Sequence, residues 1–324
     1  MELLETTGLT CDYLIRDRFG RRTRPLRALD GISLTVARGE VLGIVGETGC
    51  GKSTLAKAIA GIRVPTAGSV ILSGRIIASA QLKPSKSDRA RLQYVYQDPG
   101  ASLDPRWTLR RSLHEPLIIH TSFGFAEREA RVLKVINALD LSPELMARYP
   151  HELSGGQQRR MGLARILVLT PEVVLFDEPT SGLDVVVQSS VLALLRDLRR
   201  EFELSYLLIS HDIAVVSAMC DRVAVMYRGR LVEIGPTENV MKRPLHPYTR
   251  SLLGATLRIG TLRLTDNVVI PNMAGPATID KGCSFRPHCP AVVPSCSSVD
   301  PCLYFEGRHG AACLHVGGRS SSTS

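Results

Sequence analysis

Residues 46–53 read GETGCGKS and fit the pattern G-x-x-x-x-G-K-S. In such a loop the glycines allow backbone N–H groups to turn toward phosphate oxygens, and the following helix adds positive charge from its N-terminus. Lys52 is the residue type that reaches the β- and γ-phosphates, and the Ser53 hydroxyl is the type that ligates Mg²⁺. Apolar residues 41–45 predict a buried strand before the loop, and a helical pattern follows it. This setting predicts a nucleotide site.

Two adjacent carboxylates follow a second predicted strand, VVLFDE at residues 173–178. Asp177 is expected to hold Mg²⁺ through its water shell, and Glu178 is expected to polarise the attacking water. Both would lie at the carboxyl end of a parallel strand, facing the crevice where such folds bind ligands. The alternative is an ordinary strand with a charged end, but the paired carboxylates favour the catalytic interpretation.

The order of the motifs is itself informative. After the phosphate loop come Gln97, LSGGQ at 153–157, the carboxylate pair, SGLD at 181–184 and His211. With this order the chain resembles an ATP-binding cassette (ABC) ATPase from about residue 3 to about residue 235. The resemblance implies a RecA-like α/β P-loop NTPase fold with ATP and Mg²⁺ as cofactors. The sequence has no NKxD-like guanine-reading motif, which favours ATP over GTP.

The resemblance implies a role for each matching residue. Gln97 would contact Mg²⁺ and the attacking water, Glu178 would align that water, and His211 would contact the γ-phosphate. These three are the expected catalytic residues, and the expected metal site consists of Ser53, Gln97 and Asp177.

Two separate loops are expected to clasp each nucleotide. The phosphate loop of one subunit would hold it from one side, and the signature turn LSGGQ of a second subunit would bind its γ-phosphate from the other. Tyr13 would stack on adenine, with a core aromatic as the alternative, and Asp184 resembles the D-loop aspartate of the family. The full expected nucleotide-binding set is Tyr13, Gly46, Glu47, Thr48, Gly49, Cys50, Gly51, Lys52, Ser53, Thr54, Asp177, Ser154, Gly155, Gly156, Gln157 and Asp184.

The chain divides into two predicted parts. Residues 1–235 would form the ABC ATPase domain, interrupted at about 98–156 by a helical subdomain that carries the signature. Apolar residues at helical spacing over 127–139 predict one of its helices. Residues 236–324 would form a C-terminal extension. Within it, 241–255 (MKRPLHPYTRSLLGA) resembles the segment after the cassette in ATPases of oligopeptide, dipeptide and nickel importers.

The extension holds five of the eight cysteines, all within the last 42 residues. Their spacing lacks the short C-x₂₋₄-C knuckle of structural zinc and the tight cysteine run of bacterial ferredoxins. The resembled subgroup carries the same pattern, GC-x-F-x-P-x-C, and this implies a [4Fe–4S] cluster with Cys302 as a spare cysteine. Zinc, or reduced thiols in a small folded cap, are the alternatives. The implied ligands are Cys283, Cys289, Cys296 and Cys313.

Composition limits the partners and the location. The formal net charge is +9, but the basic residues fall in local runs such as 16–27 and aromatics make up only 5%, which opposes specific nucleic-acid binding. No apolar stretch is long enough to span a bilayer, and no secretory pattern opens the sequence. These observations predict a cytosolic protein, and the resemblance to importer ATPases implies a peripheral location at the cytoplasmic face of the cell membrane.

The resemblance implies the ATP-hydrolysing subunit of an importer for peptides, or for a related solute such as nickel. The expected partners are a second ABC ATPase subunit, two membrane permease subunits and, through the complex, an extracytoplasmic solute-binding protein. A heterodimer of ATPases is favoured, and a homodimer is compatible. Two alternatives remain. One is a soluble ABC ATPase acting on nucleic acid or ribosomes, which the basic charge supports. The other is a cassette that only binds ATP, which the intact Glu178 and His211 oppose.

Overall fold

Two β-sheets form the framework of the protein. The computed structural model describes residues 2–16, 22–96, 98–260 and 281–317. Within these residues the strands are β1 (Glu2–Arg16), β2 (Arg22–Ala37), β3 (Val41–Val45), β4 (Ala67–Leu72), β5 (Arg75–Ser79), β6 (Leu92–Val95), β7 (Val173–Asp177), β8 (Ser205–Ile209), β9 (Arg222–Tyr227), β10 (Arg230–Pro236), β11 (Tyr304–Glu306) and β12 (His309–Ala311). The helices are α1 (Lys52–Ile59), α2 (Lys86–Arg91), α3 (Leu109–His120), α4 (Phe125–Ala138), α5 (Gly155–Leu167), α6 (Val185–Glu201), α7 (Ile213–Met219), α8 (Thr237–Lys242), α9 (Pro247–Gly260) and α10 (Leu314–Gly317). Short 3₁₀ turns lie at Pro99–Ser102, Pro143–Ala147, Pro150–Glu152, Arg286–His288 and Pro294–Ser297.

The larger sheet carries the predicted α/β architecture. In the described part of the chain its strands run in the order β11-β12-β10-β9-β3-β8-β7-β6, and those from β9 to β6 are parallel. The smaller sheet is antiparallel, in the order β2-β1-β4-β5. The strands predicted at 41–45 and 173–178 correspond to β3 and β7, so the α/β prediction is confirmed.

The central parallel strands are apolar along most of their length because both faces of the sheet are covered. In β3, Val41 and Val45 belong to one hydrophobic core, while Leu42 and Ile44 belong to the other. Helices α3 to α7 close the first core, and α1 closes the second together with the smaller sheet. This two-sided burial explains why these strands lack the alternation of polar and apolar residues that a half-exposed strand shows.

A helical segment separates β6 from β7. Leu113 of α3, Val135 of α4 and Met161 of α5 are all fully buried in the first core. Helix α4 matches the helix predicted over 127–139. The limits of the subdomain at 98 and 156, and the domain boundary at 235, stay predictions. None of the helices in the described residues is long and apolar enough to cross a bilayer.

The C-terminal extension is continuous with the ATPase domain in both sheet and core. Strand β12 pairs antiparallel with β10, with Ala311 opposite Glu233. Tyr248 at the start of α9 and Phe285 further along the extension are buried in the first core. The extension therefore widens the central sheet at its edge and fills part of the main core.

A buried carboxylate fixes the join between β10 and the extension. Glu233 has no exposed surface, and it accepts hydrogen bonds from the backbone N–H groups of Leu245 (2.8 Å) and His246 (2.9 Å). Nε2 of His309 on β12 lies 2.7 Å from Oε1 of the same carboxylate. A buried charge requires such partners, and these three contacts hold the turn before α9 against the sheet.

His246 predicts a fold that loses stability in mild acid. The side chain is 1% exposed, and burial lowers the pKa of His246 to about 4 although Glu233 opposes the shift. The unfolded chain, with a histidine pKa of about 6.5, takes up the proton first. The stabilisation that neutral His246 provides is therefore complete above about pH 6.5, the pKa in the unfolded chain. It is lost as the pH falls toward about 4, the pKa in the folded protein. Between about pH 7.5 and about pH 5 the loss amounts to about 2 kcal/mol.

Urea unfolding of the wild type and of His246→Asn at these two pH values measures the effect. In the wild type Nδ1 of His246 accepts a hydrogen bond from the backbone N–H of Tyr248 (3.0 Å). Asn keeps an acceptor for this N–H but does not titrate, so the free energy of unfolding of the variant should depend less on pH. His315→Asn, at an exposed histidine of the same extension, is the matched control and should keep the wild-type dependence. Identical pH dependence in His246→Asn would contradict the prediction.

Candidate nucleotide site

The phosphate loop joins β3 to α1 through glycines whose backbone other residues rarely adopt. Gly46 has a φ of +151°, and a Cβ at this position would lie 2.2 Å from the carbonyl oxygen of Met226 on β9. Gly51 is the N-cap of α1 with a φ of +111°, and a Cβ here would lie 2.5 Å from the carbonyl oxygen of Ala28 on β2. The close approach of both strands shapes the loop, and the N-terminus of α1 opens onto it.

Lys52 places a buried positive charge inside this loop. Lys52 is 5% exposed, and Nζ donates to the carbonyl oxygens of Gly46 (2.7 Å) and Glu47 (2.9 Å). The buried thiol of Cys50 lies beside it, with Sγ 3.9 Å from Nζ. An ammonium group enclosed by a tight backbone loop at a helix N-terminus fits the phosphates of ATP.

Asp177 at the carboxyl end of β7 contacts Ser53 at the start of α1. The Ser53 hydroxyl donates to Oδ1 (3.0 Å), and the Tyr94 hydroxyl donates to Oδ2 (2.6 Å). Burial and the neighbouring Asp177 raise the pKa of Tyr94, so the phenol stays protonated and donates. Hydroxyl and carboxylate oxygens are ligands that Mg²⁺ prefers, so Ser53 and Asp177 fit the expected metal. Sequence reasoning does not find Tyr94, because within strand β6 it reads as an ordinary strand aromatic.

Glu178 and His211 meet beyond the ends of the neighbouring strands β7 and β8. Nδ1 of His211 lies 3.3 Å from Oε1 of Glu178. Glu178 has a φ of +54°, and its backbone N–H donates to the carbonyl oxygen of Ile209 at 3.0 Å. A non-glycine residue in this left-handed conformation is strained, and such strain is concentrated at functional sites. The two residues therefore form one polar pair at the carboxyl edge of the sheet.

Tyr13 borders the loop from the smaller sheet. Its hydroxyl lies 3.3 Å from Oγ1 of Thr54, and the Arg63 guanidinium stacks over its ring at 4.1 Å from the centroid. The residue is half-buried and belongs to neither core. This position opposes the core-aromatic alternative, and stacking on adenine stays a prediction.

The signature turn forms the start of α5. Ser154 is the N-cap, and its Oγ accepts a hydrogen bond from the N–H of Gln157 (3.3 Å). Oε1 of Gln157 accepts in return from the N–H of Ser154 (3.0 Å), which completes a capping box. Gln97 lies outside the described residues. The predicted nucleotide-binding residues that are exposed to solvent in the phosphate loop and the signature are Thr48, Gly49, Ser154, Gly155 and Gly156.

Asp184 begins α6 beside an exposed apolar run. Its Oδ1 accepts hydrogen bonds from the N–H groups of Val186 (3.0 Å) and Val187 (2.9 Å). Val185 and Val186 are 78% and 76% exposed. Adjacent exposed apolar residues mark interaction surfaces, so this end of α6 is a candidate contact with another protein chain.

We call residues 281–317 the cysteine cap. The four predicted cluster cysteines line one small cavity there, which His246 and Pro247 also border. Burial raises the pKa of the Cys283 and Cys289 thiols, and the neighbouring cysteines add to the effect. Cys302 is exposed, as its expected role as a spare requires. The cavity measures about 10 Å³ and is bordered by Cys283, Cys289, Cys296 and Cys313.

The thiols match a four-cysteine cluster in number but not in placement. Among the described residues no group of three or more His, Cys, Asp or Glu side chains is placed to hold a metal ion. All eight cysteines are free thiols. The structure therefore does not support the expected iron–sulfur cluster.

Comparison with known proteins identifies both parts of the chain. Residues 29–181 match the family described as ABC transporter, and residues 232–296 match the family described as oligopeptide/dipeptide transporter, C-terminal region. The oligopeptide transport ATP-binding protein AppF of Bacillus subtilis is 42% identical over 287 residues, which is 87% of each chain. The oligopeptide transport ATP-binding protein OppF of Escherichia coli is 41% identical over 322 residues, covering 97% of this chain and 96% of that one.

Solved structures give the same fold. The cbiO1 protein of Clostridium perfringens, part of the ABC transporter complex cbiONQ, aligns with a TM-score of 0.64 and 29% identity over 80% of this chain and 97% of that one. The ATP-binding cassette MJ0796, in a dimeric post-hydrolysis state with ADP and Pi, aligns with a TM-score of 0.62 and 26% identity over 72% of this chain and 99% of that one. The expected fold and the resemblance drawn from the order of the motifs are confirmed. The chain belongs to the family of ABC transporter ATP-binding subunits, which are ATPases, in the group that carries the oligopeptide/dipeptide transporter C-terminal region.

Proposed function

We propose that this ATPase energises an ABC importer for peptides, or for a related solute such as nickel. The observation that carries the proposal is the extension. Residues 232–296 match the oligopeptide/dipeptide transporter region, and this part of the chain is joined to the cassette through the pairing of β10 with β9 and through the first core. The two relatives named for oligopeptide transport are similar across both parts of the chain. The subunit would act at the cytoplasmic face of the membrane with two permeases, and a solute-binding protein would deliver the solute from outside.

The pair of Glu178 and His211 suits hydrolysis of the γ-phosphate. Glu178 would accept a hydrogen bond from the attacking water and align it, and His211 would hold that carboxylate while contacting the γ-phosphate. Lys52 would exchange its loop carbonyls for phosphate oxygens. Bound Mg²⁺ would neutralise phosphate charge, and Ser53 and Asp177 are the residues that would hold it. Catalysis would then consist of positioning and charge stabilisation.

A second cassette would complete each site. The signature glycines Gly155 and Gly156 are exposed, and a Cβ at either would meet no atom within 4 Å, so a phosphate or a second chain has room to approach. The apolar run Val185–Val187 after Asp184 offers a further contact surface. The similarity to a cassette solved as a dimer supports this arrangement. We favour a heterodimer of two ATPase chains, as expected from the sequence, over a homodimer.

A soluble ABC ATPase acting on nucleic acid or ribosomes is the second candidate, and the observation in its favour is the net charge of +9. A positive surface also suits an anionic membrane and a phosphate ligand. The importer proposal accounts for the extension as well, and the nucleic-acid proposal does not.

Replacing Glu178 by Gln should leave ATP binding intact and lower steady-state hydrolysis at least about 100-fold, the range for loss of a positioned general base. Phosphate release measures hydrolysis, and equilibrium binding of MgATP measures affinity. Glu203→Gln is the matched control, because Glu203 shares a left-handed backbone (φ +51°) but is exposed and follows α6. Wild-type turnover in Glu178→Gln would remove Glu178 from the catalytic role.

Reconstitution with its permeases and binding protein should make ATP hydrolysis respond to the transported solute. In proteoliposomes we expect binding protein loaded with di- or oligopeptide to raise the hydrolysis rate, and Ni²⁺ in place of peptide tests the related solute. Lys52→Ala, which lacks the phosphate-binding ammonium, gives the background rate. Stimulation by RNA or ribosomes, with no response to any loaded binding protein, would favour the second candidate instead.

For the cysteine cap we keep the iron–sulfur cluster as a proposal that rests on the resemblance and on the number of cysteines bordering one cavity, although their thiols are not placed as metal ligands. Protein purified without oxygen should contain stoichiometric iron and sulfide and absorb visible light. Cys296→Ser, at a buried thiol of the cavity, should lose them, while Cys302→Ser, at the exposed cysteine, should keep them. Zinc without visible absorption, or no metal at all, would show that the cap folds without a cluster.

A further inference from the structure

The extension reaches the phosphate loop through one hydroxyl group. The oxygen of Tyr248 accepts a hydrogen bond from the backbone N–H of Glu47 at 3.0 Å. Glu47 is the second residue of the phosphate loop, and Tyr248 lies 201 residues further along the chain, in the first turn of α9. Tyr248 is 2% exposed, so its hydroxyl satisfies a loop donor out of contact with bulk water.

The backbone that presents Tyr248 is fixed by buried polar groups. Its N–H donates to Nδ1 of His246 (3.0 Å), and the N–H groups of Leu245 and His246 donate to the fully buried Glu233. The turn between α8 and α9 therefore has one defined conformation. This turn includes LHPYT, at 245–249, which is part of the segment that resembles importer ATPases, and the sequence alone assigns no contact to its tyrosine.

The ring of Tyr248 is fixed by aromatic neighbours from two directions. Its centroid lies 4.6 Å from that of Tyr227 on β9 and 5.5 Å from that of Phe285. Phe285 belongs to the cysteine cap, is 3% exposed, and packs edge-on against Tyr227 as well (5.4 Å). The same Phe285 borders the cavity of the four thiols. A continuous set of buried rings thus joins the cap to the phosphate loop.

The hydrogen bond falls at the part of the loop that holds the lysine. Nζ of Lys52 donates to the carbonyl oxygens of Gly46 and Glu47, which flank the segment that Tyr248 holds. Burial raises the pKa of the Glu47 carboxyl, and Arg228, followed by His288 of the cap, opposes the rise. A loop already held in its binding conformation loses less entropy when a ligand binds.

We propose that Tyr248 is a positioning residue for the phosphate loop, and that Phe285 of the cysteine cap holds it in place. Tyr248 contacts the loop through the backbone N–H of Glu47. The inference rests on the proposed nucleotide site at this loop. It assigns to the C-terminal extension a part in ATP binding, in addition to its place in the importer.

Tyr248→Phe tests this directly because it removes the hydroxyl and keeps the ring. Loss of one buried hydrogen bond should raise the Kd for MgATP roughly three- to tenfold. The KM for ATP should rise with it, while kcat at saturating ATP should change by less than about twofold, because the catalytic pair is untouched. Tyr206→Phe is the matched control, since the buried Tyr206 hydroxyl donates to the carbonyl oxygen of Leu195, at 3.0 Å, between β8 and α6. It should lower the thermal midpoint and leave the Kd unchanged.

A second pair of variants tests the part played by the cap. Phe285→Leu should raise the Kd in the same direction, and combining it with Tyr248→Phe should add less than the sum of the two effects, because both act on one contact. Phe305→Leu, at an exposed ring of the same extension (57%), should leave the Kd unchanged.

The outcomes separate the two proposals. If the wild type itself fails to bind MgATP, the proposed nucleotide site is wrong. If the wild type binds, and Tyr248→Phe shifts the Kd no more than Tyr206→Phe does, the positioning role is wrong and the nucleotide site stands. If Tyr248→Phe fails to fold, Phe285→Leu and its control Phe305→Leu decide the question, since an unchanged Kd in Phe285→Leu overturns the role of the cap.

Discussion

The burial of one ammonium group, on Lys52, is the constraint on which the nucleotide site depends. A buried charge requires compensation, and the carbonyl oxygens of Gly46 and Glu47 supply it. For these groups to reach the ammonium, the chain must fold back sharply as soon as it leaves β3. Positive φ at Gly46 and Gly51 makes that fold-back possible. The backbone of β9 packs closely against Gly46, and the backbone of β2 packs closely against Gly51. The loop is thus shaped around a charge that a phosphate can share.

Strand order then brings the remaining groups to the loop. Because β3, β8 and β7 are neighbouring parallel strands, the residues after their carboxyl ends lie along one edge of the sheet. The lysine loop follows the first strand, His211 the second, and Asp177 with Glu178 the third. Three segments far apart in sequence therefore meet through one topological rule, and the two-sided apolar core keeps these strands in register.

Local patterns predict the parts of this site that a few consecutive residues specify. The spacing of the glycine loop, the two carboxylates ending VVLFDE and the serine before α5 can all be read from the chain alone. Tyr94 and Tyr248 cannot, because their partners lie 83 and 201 residues away. Their contacts depend on which strands become neighbours and on where the extension docks. The resemblance implied four cysteines as cluster ligands, and all four border one cavity, but their thiols are not placed to hold a metal, because thiol placement depends on packing that no spacing rule specifies.

The cysteine cap has too little apolar material to fold alone. Within the described residues its separate cluster of buried residues consists of Ala311, Cys313 and Val316, and a core of that size does not offset the entropy of ordering the chain. The cap gains its remaining burial by adding β12 to the sheet and Phe285 to the main core. The packing of Phe285 that orders the cap is therefore the same packing that orders the surroundings of Tyr248.

Linkage makes this relation reciprocal: a nucleotide that favours the ordered loop also favours the docked cap, and stabilising the cap strengthens nucleotide binding by the same factor. The size of the contact limits the effect. One buried hydrogen bond contributes about 0.5–1.5 kcal/mol, whereas reversing a two-state equilibrium almost completely requires about 5.5 kcal/mol. Through Tyr248 alone the extension can therefore adjust the affinity for ATP within about one order of magnitude. Control of ATP binding in an all-or-none manner would require the cap to leave the core altogether, with Phe285 and β12 removed from their places.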